Sequence, residues 1–445
     1  MPPNVKDKEG SAHALGEEDL DDDARPFITP KKEILYDGYF YDVTDFVDRH
    51  PGGFVIDYYT TPGEDATVPI LEFHNRSKSK VDLIMKSLPR RKAQEHEMYF
   101  AGNRASRDRY AAMTSDFLAL HKEVEAEGLF KPVYWRNFLV VLEVTFTMAL
   151  GAWIVASHPE SVAFKILGAI IVGLGMGRMG LLQHECGHNS VSGNPKLDKA
   201  LQNIFYGLYM GMSAKWWVRR HNRHHAMPQR YQRDFDMEHL PVTATHADFV
   251  TDADNFAQNN VLTRNQGFLL PLNGTLFICA INFYYHPHYI IKRGLWEEAL
   301  SLLAHFALAF YIMGVWPYLL GKTFMSLYLS SSFALNHTHL PITYENKHWL
   351  EFGLQHTANV SPGWFNDWWL ILLNYQIEHH LFPTMPQYNL RFVCERVKKL
   401  AAKYDLKYET TSLPHAYKNI MEHMLEVQGH VREVHQRKKE AQKTE

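Results

Sequence analysis

Seven histidines in this 445-residue chain fall into three short clusters whose spacing suits metal ligation. HECGH sets His184 and His188 four residues apart, HNRHH carries His221, His224 and His225, and QIEHH repeats that pattern with Gln376 in first place before His379 and His380. On an α-helix, positions i and i+4 lie about 40° apart round the axis and i+3 joins the same face, so each cluster projects its imidazoles together. Ligation by nitrogen without thiolate suits iron, zinc or copper, and seven donors exceed what one ion uses. Two ions are therefore expected. A single HxxxH is a common surface coincidence, and HECGH taken alone fits the HExxH helix of a zinc protease, with Glu185 as its base. The five further histidines argue against both. Cys186, Cys279 and Cys394 are isolated with no CxxC pairing, which supports neither a thiolate zinc site nor a disulfide framework and fits a reducing compartment.

A second histidine pair lies far upstream. His50 precedes Pro-Gly-Gly, which ends one element sharply and lets backbone approach a bulky ligand, and His74 follows an apolar run 24 residues later. Two neutral imidazoles on opposing short helices can take both axial positions of a haem iron, which leaves no site for oxygen and suits electron transfer. HPGG by itself also fits a turn histidine and an unrelated surface histidine.

The elements that must position these residues read as membrane hairpins. Residues 135–157 and 162–182 are apolar, separated only by HPES, and at about 1.5 Å per residue each covers roughly the 30 Å of a hydrocarbon layer. A second pair, 296–316 and 318–335, is broken only by Pro317. Two hairpins return the chain to its starting side. Lys131, Arg136, Arg219 and Arg220 lie on that side, which makes it cytosolic, with both termini there as well. Glu143, Lys165 and Arg178 interrupt the spans, and a soluble protein with four buried helices is the alternative; charges near the span ends can snorkel, whereas Glu143 is deeper and must face protein or a partner. Gly173 and Gly177 have the spacing that permits close helix contact.

Around the spans, residues 1–31 form an acidic tail too polar to order itself, and 32–105 a small domain with alternating strands about a turn at Gly38. Residues 106–134 read as a mixed linker. The membrane domain occupies 135–425, and its polar stretch 190–295 contains segments that look like helices lying along the interface. A charged tail, 426–445, is helical in propensity and reads as a solvated helix face or fray, with weak attraction to anionic lipid as the alternative. The net charge of −3 argues against a nucleic-acid partner.

With these residues in view, the small domain resembles cytochrome b5 over about fifty residues, through YDVTDF, HPGG, GEDAT and the second histidine. The resemblance implies haem b with His50 and His74 as axial ligands; Tyr36 stands where that family often has tryptophan. The rest of the chain resembles the membrane fatty acid desaturases, whose HxxxH, HxxHH and [HQ]xxHH pattern is met in order. Glutamine in the last cluster together with the fused haem domain resembles the front-end branch, which adds a double bond between an existing one and the carboxyl end. The fold implied by both resemblances is mainly α: a four-transmembrane-helix di-iron desaturase domain with a cytosolic cap, plus a small α+β cytochrome b5-like domain.

The desaturase resemblance implies two non-haem irons and an eighth histidine after the fourth span, assigned to His337 rather than His339. Asn336 would reach an iron through water, and Gln376 becomes a site residue. It also implies a fatty acyl substrate on coenzyme A or phospholipid, contact with membrane lipid, and an endoplasmic reticulum location. Since no dinucleotide motif is present, NADH-cytochrome b5 reductase is expected as a separate partner. His239, His286, His288, His305 and His356 are expected as structural or surface groups. One departure stands out: where relatives commonly have two glycines shortly before QxxHH, this chain has Ile371 and Leu372. An acyl hydroxylase or a sphingoid-base desaturase on the same scaffold is the nearest rival, and a membrane-tethered haem electron carrier with structural metal the rival from another class.

Overall fold

The structure, a computed structural model, describes residues 31–61, 64–98, 104–250 and 260–444. The expected acidic tail therefore lies outside the described residues but for residue 31. In the front domain, β1 (Glu33–Tyr36) and β2 (Tyr39–Asp42) pair antiparallel with Ile34 opposite Tyr41, and β3 (Arg90–Lys92) joins the other edge of β2. Asp37 and Gly38 connect the first two with φ of 49° and 75°, the left-handed pair a two-residue hairpin needs. Ile34, Tyr41, Val43, Val47 and Met85 close a small core. Helix α1 (Thr67–His74) starts where the Asp65 carboxylate accepts from the Thr67 N–H and hydroxyl, and α2 (Lys78–Ser87) comes next.

The stretch read as a linker carries α3 (Arg104–Ala126), a 23-residue helix that buries Met113, Phe117 and Val124 against Phe382, Leu390 and Val393. Then come α4 (Tyr134–Ser157), α5 (Val162–Gly187), α6 (Pro195–Gln202), α7 (Ala214–Ala226), α8 (Thr263–Arg293), α9 (Trp296–Met313) and α10 (Val315–Ala334). Helices α4 and α5 form the predicted hairpin. Their backbones meet at Gly151 and Gly168, where a Cβ on Gly151 would lie 2.7 Å from the Gly168 carbonyl oxygen. Gly173 and Gly177 admit a different neighbour, α10, at Gly321 and Tyr328. Glu143 does face protein: Arg178 donates to it at 2.7 Å and the Trp368 indole at 3.1 Å.

The second half of the membrane domain differs from two simple hairpins. By length and composition α4, α5 and α8 each suffice to cross a membrane, while α9 and α10 reach that standard only together, as a pair bent by 117°. The break falls at Gly314, with φ of 76°, and not at Pro317. Glycine takes that backbone conformation without penalty, whereas a proline in the first turn of α10 costs no hydrogen bond and starts a helix instead of ending one.

The remaining chain builds a cap from short elements: α11 (Trp349–Gln355), α12 (Trp364–Trp369), α13 (Gln376–Leu381), α14 (Gln387–Leu390) and α15 (Cys394–Lys403), with the parallel pair β4 (Asn359–Val360) and β5 (Thr410–Thr411). The stretch read as a charged tail belongs to α16 (Leu413–Thr444), whose Val427 and Val431 are buried against Ala244 and Val250.

Candidate metal centre and haem pocket

Four separate pieces of chain bring eight imidazoles together. His184 sits in the last turn of α5 and His188 just past it; His221, His224 and His225 line one face of α7; His337 comes just after α10; His379 and His380 lie on α13. Their ring nitrogens converge in two adjoining groups, His184, His188, His221, His225 and His379 in one and His224, His337 and His380 in the other, each with its donor atoms within 4.8 Å of one another. The groups touch where the rings of His225 and His380 stack at 4.1 Å. His184 Nε2 lies 2.8 Å from His221 Nε2, and His379 Nε2 lies 3.0 Å from His225 Nε2. Gly187 allows this approach, since a Cβ there would run into the Trp217 ring that stacks on His221.

The donor chemistry fits metal. Burial holds His188, His225, His337, His379 and His380 well below the usual histidine range, so these rings are neutral and have a lone pair to offer. His188 Nε2 and both ring nitrogens of His380 are buried without a hydrogen-bond partner, a costly state that an ion would relieve. Other rings are oriented from outside. His224 Nδ1 donates to Asp234 at 2.9 Å and His337 Nδ1 to the His356 carbonyl at 2.9 Å, which turns each Nε2 toward the cluster. At His224 burial pulls the pKa down, but Asp234 and Asp236 outweigh it and the net shift is upward. The Gln387 amide lies 3.2 Å from His184 Nδ1 and steadies that ring in the same way.

Asn336 and Gln376 are placed differently from the histidines. Asn336 donates its amide to the Ala358 carbonyl at 2.7 Å, and the Gln376 amide lies 3.3 Å from His337 Nε2. His339 points away, 3.8 Å from Glu409. The histidines read as structural are engaged elsewhere: His305 bridges the Leu208 carbonyl and the Tyr318 hydroxyl, and His286 accepts from the Ser213 N–H. Asp234, Asp236 and Gln387 are not among the residues the sequence singles out. The carboxylate pair has a signal, since it stands close after HNRHH and ligating histidines commonly donate to a carboxylate; Gln387 has none.

Ile371 and Leu372, in the place of the paired glycines, take φ of 48° and 68°. That conformation costs a side chain roughly 1–3 kcal/mol at each position, and anchors hold it. Arg136 donates to the Ile371 carbonyl, Arg178 to that of Trp368 and Tyr328 to that of Trp369.

In the front domain the rings of His50 and His74 have centroids 6.1 Å apart. An imidazole nitrogen bonds a metal at about 2 Å, so one ion fits between them. His50 Nδ1 donates to the Gly53 carbonyl and His74 Nδ1 to that of Ile70, leaving both Nε2 atoms available. Burial lowers the pKa of His50 and takes that of His74 to about 4. The domain is fixed to the cap: Tyr58 donates to the Arg233 carbonyl at 2.7 Å, Tyr59 to that of Ala226 at 3.1 Å, and His121 meets the buried Glu72 at 2.6 Å. Phe73, next to His74, packs edge-on to Trp349 at 5.7 Å, and the Trp349 indole donates to the carbonyl of Leu381, next to His380.

Two families match this chain: Fatty acid desaturase over residues 160–412, and Cytochrome b5-like Heme/Steroid binding domain over 31–136. An acyl-lipid (8-3)-desaturase of Rebecca salina is 36% identical over 85% of this chain and 87% of its own length. One of the same name from Thraustochytrium sp is 36% identical over 85% and 88%. Fatty acid desaturase 3 of Bos taurus is 30% identical over 85% and 86%.

Proposed function

We propose, from the premise that this chain belongs to the fatty acid desaturase family and is an oxidoreductase with a fused cytochrome b5 domain, that it puts a cis double bond between an existing one and the carboxyl end of a polyunsaturated acyl chain. The observation that carries this reading is the convergence of eight imidazoles, seven buried and His337 half-buried, in two adjoining groups at the ends of apolar helices, beside a haem-type histidine pair. An alkyl chain has no acid to titrate and no polarised bond, so a general base alone does not dehydrogenate it. Two non-haem irons with dioxygen, and haem b as electron carrier, supply that oxidising power when bound. The eight histidines are the ligands we assign to the irons; the Gln376 amide borders the His337 Nε2 that would hold the ion, and Asn336 ties its turn to Ala358. His50 and His74 hold the haem.

The other residues position and exclude. Asp234 and the His356 carbonyl keep rings turned inward; Phe117, Ile377, Leu381 and Phe382, all fully buried, keep water from the back of α13. Phe73 and Trp349 give unbroken protein contact from His74 to His380, which supports electron delivery from a haem reduced by a separate NADH-dependent reductase. Relatives named acyl-lipid desaturases support a lipid-borne substrate.

We assign the crossings to α4, α5, α9 and α10, with α8 along the cytosolic interface. Two contacts along α8 support this, because Asn273, near its middle, donates to the Val242 carbonyl and His286, in its second half, meets Ser213, both in the polar region that holds the α7 histidines. Residence in the endoplasmic reticulum membrane with cytosolic termini completes the reading. Expression in a host without polyunsaturated acids, fed one acid at a time, tests it by mass spectrometry. A new double bond on the carboxyl side of an existing one is expected; a hydroxylated product or an altered sphingoid base overturns it. His50→Ala is expected to abolish NADH-supported turnover with non-haem iron content unchanged, and full activity in that variant sinks the electron route.

A further inference from the structure

Beside the histidine groups, where α4 and α5 meet α12 and α14, a cavity of about 240 Å³ opens, with Arg136, Glu143, Arg178, Trp368, Tyr388 and Arg391 in its wall. Three guanidinium groups next to a hydrocarbon layer are costly unless anions compensate them. Protein carboxylates do so in part: Arg136 pairs with Glu185 at 3.2 Å and Arg178 with Glu143 at 2.7 Å. Asp367, also in the wall, accepts from Asn374 at 2.9 Å. Arg391 has no such partner. Its guanidinium lies over the rings of Tyr388 at 3.9 Å and Phe392 at 5.1 Å, and no oxygen among the described residues accepts from it. The Nε–H of Arg178, a side chain 2% exposed, is likewise buried without an acceptor.

The surroundings say what kind of anion belongs there. Trp135 and Trp364 are exposed near the opening, amphipathic rings of the kind that marks the headgroup level of a membrane, and Phe365 and Phe392 are exposed beside them. The wall also reaches the metal ligands. Arg136 pairs with the residue after His184, and Gln387, the neighbour of Tyr388, contacts His184 itself. A desaturase that works toward the carboxyl end acts only a few carbons from the group carrying the acyl chain, so that group must rest close to the histidines. We infer that this cavity seats the phosphate of the acyl carrier, a glycerophospholipid headgroup of the cytosolic leaflet, with Arg391 as its principal cation and Arg178 Nε–H as a second donor. The inference rests on the desaturase reading above and adds where the polar end of the substrate sits.

Coenzyme A offers phosphate chemistry too, so the test has two arms. Full-length protein loaded with haem and iron is incubated in detergent with dihexanoylphosphatidylcholine, or with coenzyme A, and bound molecules are counted by native mass spectrometry. The unaltered protein is expected to hold one phosphatidylcholine. Arg391→Gln is expected to weaken that binding about ten-fold or more, the worth of one charge-assisted hydrogen bond to phosphate. Arg391→Lys recovers part of it, and haem and iron contents stay unchanged in both variants. Equal phosphatidylcholine binding by the unaltered protein and Arg391→Gln overturns the site. Coenzyme A held instead, and lost in the variant, overturns the lipid assignment. Binding is read without turnover, so a protein that binds through Arg391 yet makes no double bond counts against the reaction alone.

Discussion

Histidine does two jobs in this protein, and the hydrogen bond on the outer nitrogen separates them. At His50, His74, His224 and His337 one ring nitrogen is spent on a carbonyl or carboxylate and the other is left for an ion. His305 spends both ring nitrogens, on the Leu208 carbonyl and the Tyr318 hydroxyl, and His286 accepts from the Ser213 N–H; among the described residues neither belongs to a converging group of metal-binding side chains. Asp234 is the most consequential of the outer partners, because it accepts from His224 and also from the Gln229 N–H, which fixes the turn after α7. Asp234→Asn is expected to lower iron affinity by about 10–100-fold with the fold intact, measured by iron retention against a competing chelator. Unchanged retention sinks the orienting role.

Each histidine-bearing element reaches the centre for a packing reason. Helix α5 carries glycine wherever another backbone or ring must come close: Gly168 against α4, Gly173 and Gly177 against α10, Gly187 against Trp217. These contacts let α5 and α10 run side by side, so His184 and His337 arrive at neighbouring heights. Helix α7 begins at Ser213, which accepts from the Trp216 N–H and donates to Glu298, so its start is tied to the start of α9. Helix α11 has a different task, as Trp349 stands between Phe73 and the Leu381 carbonyl. Trp349→Leu is expected to slow reoxidation of the reduced haem by dioxygen and substrate several-fold, with the haem spectrum, iron content and rate of haem reduction unchanged. Stopped-flow absorbance reads this directly. Reoxidation at the normal rate excludes Trp349 from the route.

At the scale of the whole molecule, the haem domain is seated on the cap through polar contacts that include a buried carboxyl. Glu64 borders a cavity of about 20 Å³ with Tyr59, His348 and Trp349, and burial raises its carboxyl to about 8 against the pull of Arg233 and Arg230. A carboxyl held protonated in the folded state binds a proton that the unfolded chain releases between its ordinary range and pH 8, so stability falls as pH rises through that window. Glu64→Gln is expected to be the more stable form at pH 8, by on the order of 1–3 kcal/mol, and equal to the unaltered protein near pH 4. Thermal loss of the haem absorbance at the two pH values checks it; a variant equally or less stable at pH 8 refutes it. The sequence by itself determined what depends on local spacing: three one-faced histidine clusters, the His50 and His74 pair, the Gly38 turn and the first apolar hairpin. The resemblance already favoured His337 over His339, and the structure agrees; tertiary structure alone decided that the clusters divide into a group of five and a group of three, and that Asp234 and Gln387 contact their rings while Trp349 lies between Phe73 and the Leu381 carbonyl. It also made the expected linker and tail into packed helices and moved the break from Pro317 to Gly314. The physical reason is that periodicity along one element fixes which face a side chain takes, whereas partners tens to hundreds of residues away are fixed by packing that no local pattern encodes.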